Sequence, residues 1–224
     1  MKFITPLLLC FFIFGFLFCQ SSSPDSIAQK TSQLAPITKH LKVPLYGQIT
    51  DEWCWAACTQ MILGYLGDSI QQCAEADTLF RRNDCCTDTA ARMDSTKCRQ
   101  TGNPQFGKFG YNITINAKPL TKEEIITQID NNKPFGFSWG WLNAEGKETG
   151  GGHLMVGTGY QRTSDGEFHL FVNNPWPSVG TPNNPHGGDA QFITYDEYVS
   201  SPTHVFWNNW YNPSKKSSQT IYAE

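Results

Sequence analysis

Gln48-Ile49-Thr50-Asp51-Glu52-Trp53-Cys54-Trp55-Ala56-Ala57-Cys58 is the stretch whose reading decides the fold of this chain. Cys54 opens an amphipathic segment that runs on through Thr59-Gln60-Met61-Ile62-Leu63. A cysteine at a helix N-terminus meets a partial positive charge and unpaired N–H groups, which favour the thiolate over the thiol. The Gln48 amide, upstream of it, can donate a hydrogen bond to a developing oxyanion, and the backbone N–H of Cys54 can be the second donor. Cysteines of secreted domains more often serve disulfide frameworks. The rest of the chain must therefore supply the other parts of a thiol enzyme.

A thiol nucleophile needs an imidazole to take its proton and a group to orient that imidazole. Of the five histidines, His153 stands in Gly150-Gly151-Gly152-His153-Leu154-Met155-Val156-Gly157-Thr158-Gly159-Tyr160, a glycine-rich approach to an apolar strand. Glycines there allow a substrate backbone to come close. In Phe168-His169-Leu170-Phe171-Val172-Asn173-Asn174-Pro175-Trp176, strand alternation puts Phe168, Leu170, Val172 and Asn174 on one face. Asn174 then ends a strand expected to pair with that of His153, where its carbonyl can accept from the ring and fix the tautomer. Trp176 is expected to shield that bond. Asn173-Asn174-Pro175 also has the composition of a plain turn.

These pieces resemble the papain-like cysteine proteases: Gln48-x5-Cys54-Trp55-Ala56, then His153, then Asn174-Pro175-Trp176, in the family's order. Trp53-Cys54-Trp55-Ala56-Ala57 with Gln72-Cys73-x2-Ala76 and Cys85-Cys86 is more similar to a bacterial branch that includes avirulence effector proteases of plant pathogens. The resemblance implies an α+β fold. A helical half carrying the nucleophile packs on an antiparallel β-sheet half, with a cleft between them. It implies Cys54 as nucleophile, His153 as base and acid, Asn174 as orienter, and Gln48 with the Cys54 N–H as oxyanion hole. Trp55, Gly151, Gly152 and Trp176 would line the substrate cleft, and Trp139 and Trp141 are further candidates. The chain departs from papain at Pro175, where papain has serine, and lacks papain's glycine and cysteines between glutamine and nucleophile. The implied activity is peptide hydrolysis, with no cofactor and no metal. Thiol amidase, peptidoglycan endopeptidase, and a catalytically dead binding or adhesin module are the alternatives.

The 224 residues, 17% charged and 13% aromatic, suit one globular catalytic domain over 41–224. A net charge of −3 with no basic stripe gives no support to nucleic-acid binding. A monomer is expected. Lys2 and the apolar run Phe3–Phe18 read as a secretion signal over 1–19. Cys19-Gln20-Ser21-Ser22 matches a bacterial lipoprotein junction, with bulky Phe18 against it; cleavage near Ser21 is the other ending. The product is expected outside the cytoplasm, either free or lipid-anchored. Residues 20–40 read as a polar tether. It is too short for the usual papain-like inhibitory pro-region.

The domain carries Cys54, Cys58, Cys73, Cys85, Cys86 and Cys98. With Cys54 the nucleophile, Cys58 is the expected buried free thiol, and the other four form two disulfides. Of the three possible pairings, the expectation is Cys73–Cys85 with Cys86–Cys98, which avoids a bridge between adjacent residues. A zinc site from the same four is the rival. Helices are expected at Cys54 to Leu66, Ser69 to Phe80, and from the capping box at Thr121 to Ile129. Strands are expected at Phe135–Trp141, His153–Arg162, Glu167–Asn173, Gln191–Tyr195 and Val205–Tyr211, with a hairpin turn at Thr163–Gly166.

Overall fold

The computed structural model describes residues 34–180 and 184–217. The signal segment 1–19, with Cys10 and Cys19, and the tether to residue 33 lie outside the described residues. The end of the expected tether, however, is not tether: Ile37–His40 forms β1, hydrogen-bonded in register to Gly159–Arg162.

Helix α1 (Cys54–Tyr65) buries Trp55 through Thr59 and Met61 through Leu63, so it is apolar nearly all round and sits inside the molecule. It ends where expected. Gly67, at φ +95°, accepts the left-handed turn that lets Asp68 N–H reach the Leu63 carbonyl at 2.9 Å. Helix α2 (Gln72–Phe80) starts three residues later than its sequence suggests, because Gln71 is extended. A short α3 (Thr89–Met93) follows, capped by the Asp88 side chain. Strand β2 (Tyr111–Asn116) is not among the expected strands, although Tyr111, Ile113 and Ile115 alternate with polar residues; Tyr111 is buried, Ile113 half-buried and Ile115 exposed. Helix α4 (Lys122–Asp130) opens on the expected capping box, with Thr121 and Glu124 bonding each other's backbones.

Strands β3 (Phe135–Leu142), β4 (Glu148–Arg162), β5 (Phe168–Asn174) and β6 (Asp189–Thr194) follow. Then come α5 (Tyr195–Val199), β7 (Ser200–Ser201) and β8 (His204–Lys215). All pairings are antiparallel, in the order β2-β8-β3-β4-β5-β6, with β1 beside β4 and β7 beside β8. Phe168, Leu170 and Val172 are buried, as the alternation requires. Strands β3 and β4 are apolar on both faces. Leu154 and Val156 pack with α1, while Phe135, Phe137 and Met155 pack with Ile125, Ile129 and Tyr198 from α4 and α5. A sheet covered on both faces reads as a continuous apolar run.

The disulfides are Cys73–Cys86 and Cys85–Cys98, not the expected pairing; Cys58 is a buried free thiol, as expected. Both arrangements close loops of nearly equal length, so chain entropy hardly chooses between them. Packing chooses. Cys85 and Cys98 are wholly buried and bonded to each other in the core, while half-buried Cys86 at its edge is bonded to Cys73. With these four sulfurs paired, none of the four is a thiolate that could hold zinc.

Candidate active site

Cys54 is the first residue of α1, whose N-terminus has no side-chain cap and no acidic residue in its first turn. The early N–H groups of the helix are thus left to whatever lies in front of it. Two tryptophans flank the cysteine and point into the disulfide-bearing loop. Trp53 Nε1–H donates to the Cys98 carbonyl at 2.8 Å, and Trp55 Nε1–H to that of Gln100 at 3.4 Å. The Cys85–Cys98 bridge therefore anchors the loop that holds both sides of Cys54.

His153 lies on β4 and Asn174 ends β5. Pairing of the two strands brings His153 Nε2 within 2.7 Å of Asn174 Oδ1. The Trp176 N–H donates to the same Oδ1 at 2.9 Å, so this oxygen of Asn174 faces two donors. The ring nitrogen bonded to an acceptor carries the proton, which leaves Nδ1 as the basic nitrogen of neutral His153.

Cys54 and His153 line one cavity of about 280 Å³, together with Trp55, Gly151, Gly152 and Trp207. Of the expected cleft residues, Trp176 is not among them. Its indole is half exposed, and its backbone, not its ring, serves Asn174. Trp139 belongs to the core, stacked on His204, whereas exposed Trp141 lies parallel to the His153 ring at 6.3 Å. Trp207 is a cavity residue that sequence reasoning missed. Its indole lies across Gly140 and Gly152, where a β-carbon would meet it at 2.1 and 2.3 Å. Its Nε1–H is held by Glu148 at 2.7 Å. No signal local to Trp207 marks it, because the glycines that admit its indole meet only across β3 and β4.

Gln48 is buried against the turn that leads into Cys54 and does not itself line the cavity. Its Nε2 donates to the Thr50 carbonyl at 2.9 Å, the same oxygen that accepts from Trp53 N–H. Among the described residues Oε1 is buried without a partner, and one N–H of Nε2 remains to donate. The Cys54 thiol is pushed up to about 11, chiefly by burial and slightly by the Glu52 charge; hydrogen bonds from the Leu154 and Trp55 backbones act against this. Burial also holds His153 below its ordinary value, against the upward pull of its bond to Asn174. Desolvation acts on each group alone in favour of its neutral form. Moving one proton from Sγ to Nδ1 would create an ion pair with no net change in charge.

His40, stacked on Phe171, and His169, stacked on Phe192, sit on other strands, and His204 is tied to Ser201 and Glu197.

The family model described as the Peptidase_C39 like family matches residues 40–216. The chain belongs to that family. The C39-like chain is accordingly a papain-like cysteine protease, a hydrolase, and its α+β architecture agrees with that assignment. Among solved structures it is similar to the peptidase domain of Streptococcus ComA, a bi-functional ABC transporter involved in a quorum sensing pathway. The TM-score is 0.42 and the identity 15%, covering 77% of this chain and 98% of that one. No match was found among curated proteins.

Proposed function

We propose that this C39-like protease cleaves peptide bonds with Cys54 as nucleophile, His153 as general base and acid, and Asn174 as the group that orients the imidazole. The observation that carries this reading is the 2.7 Å bond from His153 Nε2 to Asn174, made beside a cavity that also receives Cys54. His153 Nδ1 takes the proton of Cys54 Sγ as the sulfur attacks the peptide carbonyl carbon. The carbonyl electrons move onto oxygen. The resulting oxyanion is assigned to the remaining N–H of the Gln48 amide and to the backbone N–H of Cys54, the first residue of α1. His153 returns its proton to the leaving amine as the C–N bond breaks. Water, giving a proton to the same Nδ1, then opens the thioester, releasing the carboxylic acid and the Cys54 thiol.

Gly151, Gly152, Trp207 and Trp55 surround the path of an extended substrate. Two disulfides support a product that works in an oxidising compartment, outside the cytoplasm. Lipid attachment at Cys19 and the likeness to effector proteases of plant pathogens rest on sequence motifs alone.

The test is alkylation of the folded domain with iodoacetamide, with the modified residue located by mass spectrometry, alongside turnover of a mixed-sequence library of quenched peptides. Rapid modification confined to Cys54, slowed at least tenfold in His153→Ala, and peptide turnover lost in Cys54→Ala are expected. A Cys54 no more reactive than Cys58 would sink the triad and favour the dead-scaffold alternative.

A further inference from the structure

An oxyanion donor on Gln48 has to be held in place by something other than itself. Gln48 stands in a segment, residues 41–48, that belongs to no helix or strand, and an oxyanion hole stabilises a transition state only if its donors are already fixed. Its buried Oε1 has no partner among the described residues, so the side chain's own bonds do not determine its position fully. What holds this segment is a second glutamine.

Gln72, the first residue of α2, is buried and uses its whole amide group. Its Oε1 accepts from the backbone N–H of Ile49 at 2.9 Å. Its Nε2 donates to the carbonyl of Gly47 at 2.9 Å and to Oε1 of Gln60 on α1 at 3.0 Å. A primary amide offers one acceptor oxygen and two N–H donors, and here the oxygen and both N–H groups each have a partner. Gln72 thus bonds the residue on each side of Gln48, as a neighbouring strand would. The other edge of the same residue is also taken: Gln48 N–H donates to the Pro175 carbonyl at 3.0 Å, and Val179 N–H to the Gln48 carbonyl at 2.9 Å. Gly47 packs so closely on Gly187 that a β-carbon would sit 2.5 Å from its Cα. The backbone of Gln48 is therefore clamped between the Gln72 side chain and the loop that follows Asn174.

We infer that Gln72 is a positioning residue for catalysis: it fixes the backbone on both sides of Gln48 and through it aims the side-chain donor of the oxyanion hole. This rests on the assignment of Gln48 to that role. The third bond, to Gln60 on α1, fills the remaining N–H of the Gln72 amide and does not touch the segment that carries Gln48. The residue after Gln72 is Cys73, and the Cys73–Cys86 bridge secures the start of α2.

The experiment compares Gln48→Ala, Gln72→Met, Gln60→Met and the double variant Gln48→Ala/Gln72→Met with wild type. Each is assayed for kcat and KM on the quenched peptide that wild type turns over fastest, and for the rate of Cys54 alkylation by iodoacetamide. Alkylation needs the thiol and His153 but forms no oxyanion, so it reports collapse of the site and not loss of the donor. The expected result is a kcat about 10- to 100-fold lower in Gln72→Met, consistent with losing much of one oxyanion donor. KM and the alkylation rate should stay within about twofold, and the double variant should be no worse than Gln48→Ala alone. Gln60→Met, which leaves the grip on Gly47 and Ile49 in place, should retain kcat. If Gln72→Met does not fold, Gln72→Glu keeps the bond from Ile49, loses that to Gly47, and must show the same split. Low kcat in Gln48→Ala with wild-type kcat in Gln72→Met overturns the inference alone, as does a Gln72 variant in which alkylation falls together with kcat. Wild-type kcat in Gln48→Ala overturns the oxyanion assignment and this inference with it.

Discussion

At the scale of single residues, the site is governed by which groups lose water. Cys54 and His153 are both pushed by burial toward their neutral forms, and the bond to Asn174 is what pulls His153 back up. The sign of the Asn174→Ala effect follows. Losing an acceptor that favours the protonated ring lowers the His153 pKa further. The acid limb of kcat/KM, which reports the loss of neutral His153, should move to lower pH than in wild type. kcat should fall by about tenfold or more as the ring loses its fixed tautomer. A pH–rate profile checks both, and an acid limb that stays put or moves to higher pH would detach Asn174 from the imidazole. The four residues of the proposed site, Gln48, Cys54, His153 and Asn174, are legible in the sequence because each carries a local signature. Trp207 is not, because its place depends on two glycines that are far from it in sequence and adjacent only across the sheet.

At the scale of elements, the helical half is held by cross-links more than by length. Helix α2 is short and α3 shorter, and each disulfide spans a sequence separation of 13. A loop of this size is worth roughly 3 kcal/mol in the chain-entropy account. Cys73→Ser/Cys86→Ser should therefore lower unfolding free energy by about that amount in urea titration. A loss under about 1 kcal/mol would mean that α2 is secured by its packing on α1. The sheet half makes a different demand, for absence of bulk. Gly152→Ala puts a methyl against the Trp207 ring and the Trp139 carbonyl, where a β-carbon would stand at 2.3 and 2.4 Å. Overpacking of this kind costs about 1–3 kcal/mol. Displacement of the indole should appear as a change in tryptophan fluorescence together with reduced peptide turnover. Wild-type fluorescence and turnover would show that Trp207 has room to yield.

At the scale of the whole molecule, one buried acid sets a slope on stability. Glu75 on α2 is completely enclosed, and its Oε1 accepts from Gln105 N–H at 2.7 Å. Burial raises its pKa well above the ordinary 4.5. A raised folded-state value means that the unfolded chain releases this proton first. The stability that Glu75 contributes is thus whole below about pH 4.5 and is lost as pH rises toward its folded value. Glu75→Gln, uncharged throughout, should show a higher urea midpoint than wild type at pH 8 and none of this loss. Equal midpoints for the two proteins at pH 4 and pH 8 alike would refute it.

The sequence by itself determined the buried helix that begins at Cys54, the capping box at Thr121, the alternation of β5, and the order glutamine, cysteine, histidine, asparagine. These depend on interactions between neighbours in the chain, whose periods of 3.6 and 2 residues are written locally. Only the tertiary structure decided that Cys85 pairs with Cys98, that Ile37–His40 joins the sheet, that Trp207 roofs two glycines, and that Gln72 grips the backbone on either side of Gln48. Each of these is fixed by burial and register between segments far apart in the chain, and loop-closure entropy, nearly equal among the alternatives, left packing to choose.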